Sequence, residues 1–242
     1  MKEILVVTGP TASGKTDLAM SIYQALGGES RATLISVDSA MIYRGMDIGT
    51  AKPSSDCLAS YPHSLIDIKD PCNSYSAADF VDDCDALVEI ALDKGQIPIL
   101  VGGTMLYIKC FRDGISRLPG RDDFVRNDLE ERMQKFGAEK LYQELLEIDP
   151  DVAKNIHPNN RQRVLRALEV FLVTGKKLST LWRENPGKTL SDRLNGKLWM
   201  VALMQEEKSQ LHRRIEMRFH EMLEKGFLEE VEALRERFEL DL

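Results

Sequence analysis

The stretch ILVVTGPTASGKT, residues 4–16, decides the fold of this 242-residue chain. It begins with a short apolar run, Ile4–Val7, continues as a Gly-rich turn, and leads into a segment with helical spacing from Lys15 to Leu26. Its second half, residues 9–16, matches the pattern G-x-x-x-x-G-K-[ST]. Glycines in such a turn let backbone N–H groups point inward around a phosphate, and the N-terminus of the following helix adds a favourable dipole. We therefore predict a phosphate-binding loop between a strand and a helix.

The loop predicts which residues contact phosphate, but not which molecule carries it. The predicted contacts are Gly9, Pro10, Thr11, Ala12, Ser13, Gly14, Lys15 and Thr16. Lys15 supplies a positive charge, and Thr16 supplies a hydroxyl for a phosphate-bound Mg²⁺. A kinase, an NTPase and a transferase with a diphosphate leaving group would all use such a loop. No guanine-specificity motif is recognisable, which favours a small kinase-like fold over a motor or a GTPase.

Strand and helix patterns alternate after this loop. Thr33–Val37 and Ile97–Val101 are short apolar runs typical of buried strands, and Leu65–Ile68 is a weaker strand candidate. Between them, Ser76 and Asp79 have the spacing of a capping box at the start of a helix. Alternating strands and helices indicate βαβ units. We therefore predict an α/β fold, a P-loop NTPase-like doubly wound parallel sheet.

The pattern changes near Leu118-Pro119-Gly120, after which no convincing strand occurs for many residues. The helices predicted there span residues 122–135, 138–148 and 159–174. A strand over Lys197–Met204 and a long helix over Ser209–Phe238 follow. We therefore predict a discontinuous core domain, residues 1–115 and 197–242, interrupted by a helical insertion, residues 116–196.

The composition is that of a globular protein. Hydrophobic residues make up 43% and charged residues 29% of the sequence, and the net charge is -7. Binding of nucleic acid through bulk positive charge is excluded, whereas a local basic patch is not. The four cysteines form no C-x-x-C pair, and no apolar run approaches a membrane span or a secretory signal. We expect a cytoplasmic protein with reduced thiols, no membrane association and no obligate protein partner.

Asp38 ends the predicted strand Thr33–Val37 and is the first candidate for chemistry outside the loop. The carboxyl ends of strands in a doubly wound sheet face the ligand crevice, so we expect Asp38 beside the phosphate-binding loop. Three interpretations stay open. Asp38 helps to hold Mg²⁺, it acts as a general base for an attacking nucleophile, or it caps a turn.

Several further segments, in order along nearly the whole chain, carry a resemblance to a known family. The two longest in the core are DSAMIYRGMDIGTAKP, residues 38–53, and VGGTMLY, residues 101–107. The shorter blocks are Pro62-His63, Asp67-Ile68, residues 75–80, residues 156–160, Gln162-Arg163 and residues 166–170. Together they strongly resemble the tRNA dimethylallyltransferase (tRNA isopentenyltransferase) family. The combination is far more specific than the phosphate-binding loop alone.

The resemblance implies an activity and roles for the residues above. Members of the family move a dimethylallyl group from dimethylallyl diphosphate to the exocyclic amine of the adenosine just 3′ of the anticodon. The phosphate-binding loop and a Mg²⁺ held by Thr16 would stabilise the departing diphosphate. Asp38 would be the base that takes the proton of the amine. Thr104, at the end of another core strand, would position the amine or the diphosphate, unless its hydroxyl caps the following helix.

By the same resemblance, contacts to the tRNA anticodon stem-loop fall in two places. A pocket for the extruded adenine would be lined by Asp38, Ser39, Ala40, Met41 and Thr104. The family more often has Gln in place of Met41, so a bidentate side-chain amide contact with adenine is not expected here. In the insertion, the predicted contacts are Arg126, Gln162, Arg163, Val164, Leu165 and Arg166.

The insertion also carries the local basic patch that an acidic RNA-binding protein needs. From Lys154 to Lys177 there are six basic residues and one acidic residue. On a helix, Gln162, Arg163 and Arg166 share one face. Without the resemblance, this pattern is also typical of the solvated face of an amphipathic helix.

Three other functions stay open beside transfer to tRNA. One is a prenyltransferase for free adenine nucleotides, which the basic insertion disfavours. Another is a small-molecule kinase, in which Asp38 orients a hydroxyl or binds Mg²⁺. The last is an RNA-binding module with a vestigial phosphate loop, which the intact Gly14-Lys15-Thr16 disfavours. Arg218, in the last predicted helix, contacts diphosphate or forms an ordinary surface pair with Glu221.

The length carries an expectation of its own. The chain ends at residues 239–242, directly after the predicted long helix, whereas the family carries a further C-terminal segment. We therefore expect a C-terminally truncated form of the family that lacks part of the core domain.

Overall fold

The computed structural model describes residues 2–205 and 207–238. The chain divides into two compact units, one formed by Met1–Gly114 with Lys188–Leu242 and the other by Ile115–Gly187. The segment 239–242, on which the expected truncation rests, lies outside the described residues. Among the described helices, none is both long enough and apolar enough to cross a bilayer.

The first unit is built on a parallel sheet. Its strands are β1 (Lys2–Thr8), β2 (Ala32–Val37), β3 (His63–Ser64), β4 (Ile97–Gly102) and β5 (Gly196–Ala202). Their spatial order is β3-β2-β4-β1-β5, so the strand before the phosphate-binding loop has a neighbour on each side. The apolar runs of β1, β2 and β4 are buried, as the strands of a parallel sheet usually are. The predicted α/β fold with a parallel, P-loop NTPase-like sheet is confirmed.

Twelve α-helices lie within the described residues. They are α1 (Lys15–Leu26), α2 (Ser55–Ser60), α3 (Ala77–Asp93), α4 (Met105–Asp113), α5 (Asp123–Phe136), α6 (Ala138–Ile148), α7 (Pro150–Ala153), α8 (Arg161–Thr174), α9 (Leu178–Glu184), α10 (Leu190–Leu194), α11 (Lys208–Glu224) and α12 (Phe227–Phe238). Helices α5 to α9 form the second unit, and the others belong to the first.

The register of the sheet brings the carboxyl ends of three strands to one level. Thr8 of β1 pairs with Gly102 of β4, and Gly102 also pairs with Val37 of β2. The segments that follow these strands carry the phosphate-binding loop, Asp38 and Thr104. Ligands bind at this edge in open α/β sheets. The topology therefore gathers the predicted core site from residues that lie far apart in the sequence.

Gly102 is needed because β2 and β4 approach each other closely at this edge. A Cβ atom at Gly102 would lie 2.1 Å from the carbonyl oxygen of Val37. The Gly102 carbonyl oxygen in turn accepts a hydrogen bond of 2.9 Å from the buried Thr8 hydroxyl. A side chain at this position would force apart the strands that precede Asp38 and Thr104.

Two predicted elements are wrong, and backbone conformation explains both. The candidate strand Leu65–Ile68 does not form, because its first and third residues adopt left-handed conformations with φ of 65° and 56°. Only His63–Ser64 pairs with β2. The single helix predicted over Ser209–Phe238 is instead divided into α11 and α12, with Gly226 between them at a φ of 92°.

The capping box predicted at the start of α3 is confirmed. The Ser76 hydroxyl accepts a hydrogen bond of 3.2 Å from the Asp79 N–H, and the Asp79 carboxylate accepts one of 2.7 Å from the Ser76 N–H. The hydrogen bond from the Ser76 backbone lowers the pKa of Asp79, because it favours the charged carboxylate. The predicted bounds of α6, Ala138–Ile148, are also confirmed.

The second unit is all-helical and has its own hydrophobic core. Side chains from α5 to α9 form this core, among them the buried Leu129, Leu141, Leu145, Val164 and Leu168. The unit ends at Gly187, before the predicted end of the insertion at residue 196. The reason is α10, which packs with the first unit. Its Arg193 pairs with Asp85 at 2.6 Å and donates a hydrogen bond of 2.7 Å to the Phe111 carbonyl.

Candidate active site

The phosphate-binding loop has the left-handed backbone turns that its sequence predicts. Gly14, directly before α1, has a φ of 85°, and Ala12 has a φ of 61°. The Ser13 N–H donates to the Pro10 carbonyl at 3.3 Å, and the Lys15 ammonium donates to the same oxygen at 3.3 Å. These contacts curl the loop ahead of the helix N-terminus. Such a loop presents backbone N–H groups and one cation to an anion.

The Lys15 ammonium is half-buried at the centre of the site. Burial lowers the pKa of Lys15, the neighbouring Asp38 carboxylate opposes that shift, and the nearby Arg218 guanidinium adds to it. Lys15 therefore lies among the charged groups that the sequence predicted for the core site. The Ser13 hydroxyl is buried beside it and has no hydrogen-bond partner among the described residues.

Asp38 follows β2 and forms a tight turn with the next residues. Its Oδ1 atom accepts hydrogen bonds from the N–H groups of Ala40 at 2.9 Å and Met41 at 3.2 Å. The turn-capping interpretation of Asp38 is therefore confirmed. It does not displace the functional interpretations, because both hydrogen bonds use one oxygen and Asp38 also lines a cavity at this edge of the sheet.

Thr104 lies immediately before α4, yet its hydroxyl does not cap that helix. The hydroxyl oxygen accepts a hydrogen bond of 3.1 Å from the Ser39 N–H and lies 3.4 Å from the Ser39 hydroxyl. The Thr104 N–H donates to the Val37 carbonyl at 3.2 Å. The helix-capping alternative is wrong, and Thr104 instead ties the loop after β4 to the turn that begins at Asp38.

A cavity of about 570 Å³ lies at this edge of the sheet. Its polar lining includes Lys15, Thr16, Asp38 and Arg218. Its apolar lining includes Met41, Met46, Phe219, Met222, Phe227, Val231 and Leu234. One space therefore offers cations, a carboxylate and hydrocarbon surface.

Helix α11 adds two arginines next to the phosphate-binding loop. Arg214 and Arg218 line a smaller cavity of about 320 Å³ together with Lys15 and Thr16. Arg218 also donates a hydrogen bond of 3.2 Å to the Thr50 carbonyl. Of its two predicted placements, the structure supports the one facing the phosphate-binding loop. Arg214 was not predicted, although its i, i+4 spacing from Arg218 puts both on one helix face.

His63, in the edge strand β3, also lines the cavity of about 570 Å³. Its Nδ1 atom lies 2.6 Å from the Tyr61 carbonyl oxygen, so Nδ1 carries the proton that this contact needs. Burial lowers the pKa of His63, and the contact with Tyr61 opposes the shift. A neutral His63 with its proton on Nδ1 offers Nε2 as a hydrogen-bond acceptor.

Lys52 is a structural residue that the sequence analysis missed. Its side chain is 4% exposed, and its ammonium contacts the carboxylates of Asp47 and Asp67 and the Tyr43 carbonyl. These partners lie in separate turns of the segment between β2 and α3. Lys52 therefore holds together the irregular chain that forms one wall of the cavity.

The residues predicted to bind tRNA in the second unit have different surroundings. Gln162 and Arg163 are exposed in the first turn of α8. Arg126 and Arg166 both pair with the carboxylate of Glu169, which is only 1% exposed. Arg166 also donates hydrogen bonds to the carbonyls of Pro119 and Gly120. These two arginines therefore stabilise the unit itself.

Two of the predicted contacts in α8 need correction. The side chains of Val164 and Leu165 are 0% and 5% exposed and belong to the hydrophobic core of the second unit. They cannot contact a tRNA while this core is intact. The one acidic residue counted between Lys154 and Lys177 is Glu169, and its buried carboxylate binds two of the predicted tRNA contacts, Arg126 and Arg166.

The expected Mg²⁺ needs oxygen ligands near the phosphate-binding loop. No cluster of three or more His, Cys, Asp or Glu side chains suited to a metal occurs among the described residues. The Thr16 hydroxyl lines both cavities beside Lys15. Mg²⁺ commonly binds one or two protein oxygens together with substrate phosphates and water. The residues present therefore suit an ion that arrives with a phosphate ligand.

Known proteins resemble this chain over most of its length. A family model described as IPP transferase matches residues 41–241. A tRNA dimethylallyltransferase of Chromohalobacter salexigens is 52% identical over 98% of this chain and 73% of its own length.

Two solved structures that resemble this chain are also tRNA-modifying transferases. The full-length tRNA isopentenylpyrophosphate transferase of Bacillus halodurans matches with a TM-score of 0.59 at 36% identity, covering 98% of this chain and 70% of that chain. A eukaryotic dimethylallyltransferase acting on tRNA matches with a TM-score of 0.74 at 26% identity, covering 98% and 57%.

The sheet and the phosphate-binding loop define the class of protein, which is P-loop NTPase-like. Within this class, the family model and the close relatives decide the assignment. The chain belongs to the IPP transferase family, the tRNA dimethylallyltransferases, which are tRNA-modifying prenyltransferases.

Proposed function

We propose that this protein transfers a dimethylallyl group from dimethylallyl diphosphate to the exocyclic amine of the adenosine 3′-adjacent to the anticodon in tRNA, with release of diphosphate. The observation that carries the proposal is the lining of the cavity of about 570 Å³. It combines a phosphate-binding loop, the Asp38 carboxylate and several apolar side chains. A small-molecule kinase has use for the loop and the carboxylate, whereas the apolar side chains suit a branched hydrocarbon.

The cationic groups of the cavity suit the leaving diphosphate. As the C–O bond of the donor breaks, positive charge spreads over the allyl group and negative charge grows on diphosphate. Lys15 and Arg218 line the cavity, and Arg214 joins them beside the loop. Preorganised cations and N–H groups stabilise such developing charge with little reorganisation. We assign these groups to binding diphosphate as it leaves.

A Mg²⁺ bound with the diphosphate would be held by the Thr16 hydroxyl. Thr16 lies beside Lys15 in both cavities, and oxygens of the diphosphate and of water would supply the other ligands of such an ion. When bound, the ion supplies further neutralisation of the charge on the leaving group. Thr16 itself orients the diphosphate relative to Lys15.

Asp38 is the proposed general base. The exocyclic amine of adenine is a weak nucleophile and loses a proton as it attacks the allyl carbon. The N–H groups of Ala40 and Met41 bind Oδ1 of Asp38 and so fix the orientation of the carboxylate. Positioned bases of this kind contribute about 10²–10⁴-fold to rate. Magnesium binding by Asp38 is the alternative, and it predicts a change in metal dependence when Asp38 is replaced.

The turn from Asp38 to Met41 is the proposed pocket for the extruded adenine. Thr104 restrains this turn through its hydrogen bond with the Ser39 N–H, so we assign it to positioning the base. Ala40 and Met41 line the cavity. The Met41 side chain offers packing against an aromatic base without a polar contact.

We propose that the second unit binds the anticodon stem-loop through the exposed start of α8. Gln162 and Arg163 lie there, and the N-terminus of a helix attracts phosphate. Arg126 and Arg166, oriented by Glu169, contribute positive charge from partly buried positions. We further propose a cytoplasmic location, since the four cysteines are free thiols, as is usual in a reducing compartment. We also propose that the protein has no obligate protein partner.

Incubation with labelled dimethylallyl diphosphate, Mg²⁺ and unmodified tRNA tests the proposal. We expect label in tRNA at the adenosine next to the anticodon, and no label in free adenine nucleotides. Absence of transfer to tRNA, together with phosphate transfer from ATP to a small acceptor, would assign the cavity to a kinase instead.

A further inference from the structure

We propose that α12 clamps the loop formed by residues 46–51, and that Glu230 is the positioning residue of this clamp. The loop contributes Met46, Gly49, Thr50 and Ala51 to the lining of the cavity of about 570 Å³. The inference rests on the proposed function only for the identity of the ligand. The new element is that α12, near the C-terminal end of the described residues, shapes the apolar wall of this cavity.

Glu230 binds three consecutive backbone N–H groups of the loop. One carboxylate oxygen accepts hydrogen bonds from the N–H groups of Asp47 at 2.8 Å and Ile48 at 2.7 Å. The other accepts from the Gly49 N–H at 2.9 Å. Converging N–H groups form an anion-binding concavity, and hydrogen bonds to a carboxylate are stronger than those between neutral groups. A single side chain of α12 thus fixes the orientation of this part of the loop.

Two apolar contacts on the same face of α12 reinforce Glu230. A Cβ atom at Gly49 would lie 2.3 Å from the Phe227 ring, and one at Gly45 would lie 3.1 Å from the Leu234 side chain. Phe227, Glu230 and Leu234 are spaced at i, i+3 and i+7, which is one helix face. The glycines therefore leave room for the helix to approach the loop closely.

The ends of the loop have other supports. The Lys52 ammonium binds the Asp47 carboxylate and the Tyr43 carbonyl, and Arg218 binds the Thr50 carbonyl. The N–H groups between these supports are the ones that Glu230 binds. Loss of Glu230 should therefore loosen the middle of the loop and leave the phosphate-binding loop intact. Binding of the hydrocarbon should suffer more than binding of diphosphate.

The test compares Glu230→Ala with Glu229→Gln, an exposed neighbour on the same helix that also loses one negative charge. Hydrogen–deuterium exchange reports the amides of residues 47–49 directly. Calorimetry reports the affinities for dimethylallyl diphosphate and for inorganic diphosphate. We expect exchange at these amides to accelerate, and affinity for dimethylallyl diphosphate to fall, each by about tenfold or more in Glu230→Ala. Affinity for inorganic diphosphate should stay within about twofold, and Glu229→Gln should match the wild type.

Two further variants keep the test decisive if Glu230→Ala folds poorly. Glu230→Gln keeps the shape of the side chain but loses its charge, so its effects should be intermediate. Gly49→Ala pushes Phe227 away and should reproduce the selective loss of dimethylallyl diphosphate. Unchanged amide exchange in Glu230→Ala, or an equal loss of both ligands, overturns the proposal. Failure of the wild type to bind dimethylallyl diphosphate, with amide exchange still dependent on Glu230, overturns the proposed function and leaves the clamp supported.

Discussion

Two basic residues beside the phosphate-binding loop, Lys15 and Arg218, differ from two arginines of the second unit, Arg126 and Arg166, in what surrounds them. Lys15 and Arg218 donate to the backbone carbonyls of Pro10 and Thr50, and both also line the cavity of about 570 Å³. Arg126 and Arg166 instead pair with a buried carboxylate of their own unit.

The positive charge that a basic patch offers to RNA therefore depends on buried acidic residues as well as on the number of arginines and lysines. Glu169 is 1% exposed, whereas the side chains of Arg126 and Arg166 are 14% and 33% exposed. A buried acid thus neutralises part of the charge that the sequence offers to RNA. In the first unit, the positive charge beside the proposed diphosphate site comes from Lys15 of the phosphate-binding loop and from Arg214 and Arg218 of α11. Substitutions at Asp38, Glu169, Arg163 and Thr104 separate residues that act on the ligands from residues that stabilise the second unit.

Asp38→Asn should abolish most turnover. The amide oxygen of Asn can still accept the hydrogen bonds from Ala40 and Met41, but it cannot take the proton of the attacking amine. We expect single-turnover transfer to fall by about 10²–10⁴-fold, with tRNA affinity unchanged. Titration with Mg²⁺ is the control. Recovery of activity at high Mg²⁺ would instead make Asp38 a metal-binding residue.

Glu169→Ala should destabilise the second unit. It leaves Arg126 and Arg166 without the carboxylate that both bind, and it removes the acceptor for the Asp122 N–H at the start of α5. Loss of one member of a buried ion pair costs about 3–5 kcal/mol, and partial exposure of the arginines puts the expected loss near the lower end. Chemical denaturation measures it. The matched control is Glu184→Ala, because the ion pair of Glu184 with Lys176 is exposed. A similar loss of stability in Glu184→Ala would show that burial of Glu169 is not the cause of the loss.

Arg163→Glu should weaken tRNA binding without affecting stability. Arg163 is exposed at the start of α8, and the described contact of its backbone N–H with Asn160 does not involve the guanidinium. We expect affinity to fall by about tenfold at low salt, with a smaller dependence of affinity on salt concentration. Arg126→Ala should show the opposite pattern, with a lower melting temperature as its first effect. Equal loss of stability in both variants would contradict the comparison.

Thr104→Val should have the smallest effect, because it removes only neutral hydrogen bonds, one from the Ser39 N–H and a longer one to the Ser39 hydroxyl. We expect a loss of about 0.5–1.5 kcal/mol in transition-state stabilisation, seen in kcat more than in KM. Thr104→Ser keeps the hydroxyl and should restore the rate. If Val and Ser substitutions behave alike, the hydroxyl has no positioning role.

The core of the site could be predicted from sequence because local chemistry determines it. The loop at residues 9–16 needs only its own glycines and helix, and parallel topology brings the ends of β1, β2 and β4 together. Glu230 could not be predicted in the same way. Its partners lie 181 to 183 residues away, and its place on the α12 face that carries Phe227 and Leu234 does not reveal which groups it binds.

In the insertion, the sequence predicted helices α5, α6 and α8 but not the burial of several of their side chains. Helical periodicity predicted α6 with its observed bounds and all of α8 with a start two residues too early, because an amphipathic pattern needs no distant partner. Val164 and Leu165 were assigned to tRNA from the resemblance of their segment, although both face the hydrophobic core. Glu169 is a charged residue on a buried face. Only its partners Arg126 and Arg166, brought close by the packing of α5 on α8, explain that position.

The most direct test of the central claim measures chemistry and RNA binding separately in two variants. Single-turnover transfer of labelled dimethylallyl to unmodified tRNA, and tRNA affinity, would be measured for the wild type, Asp38→Asn and Arg163→Glu. We expect Asp38→Asn to lose transfer while it binds tRNA normally, and Arg163→Glu to bind tRNA weakly but to transfer at nearly the wild-type rate once saturated. Loss of tRNA binding by a folded Asp38→Asn, or full transfer by it, would contradict the account.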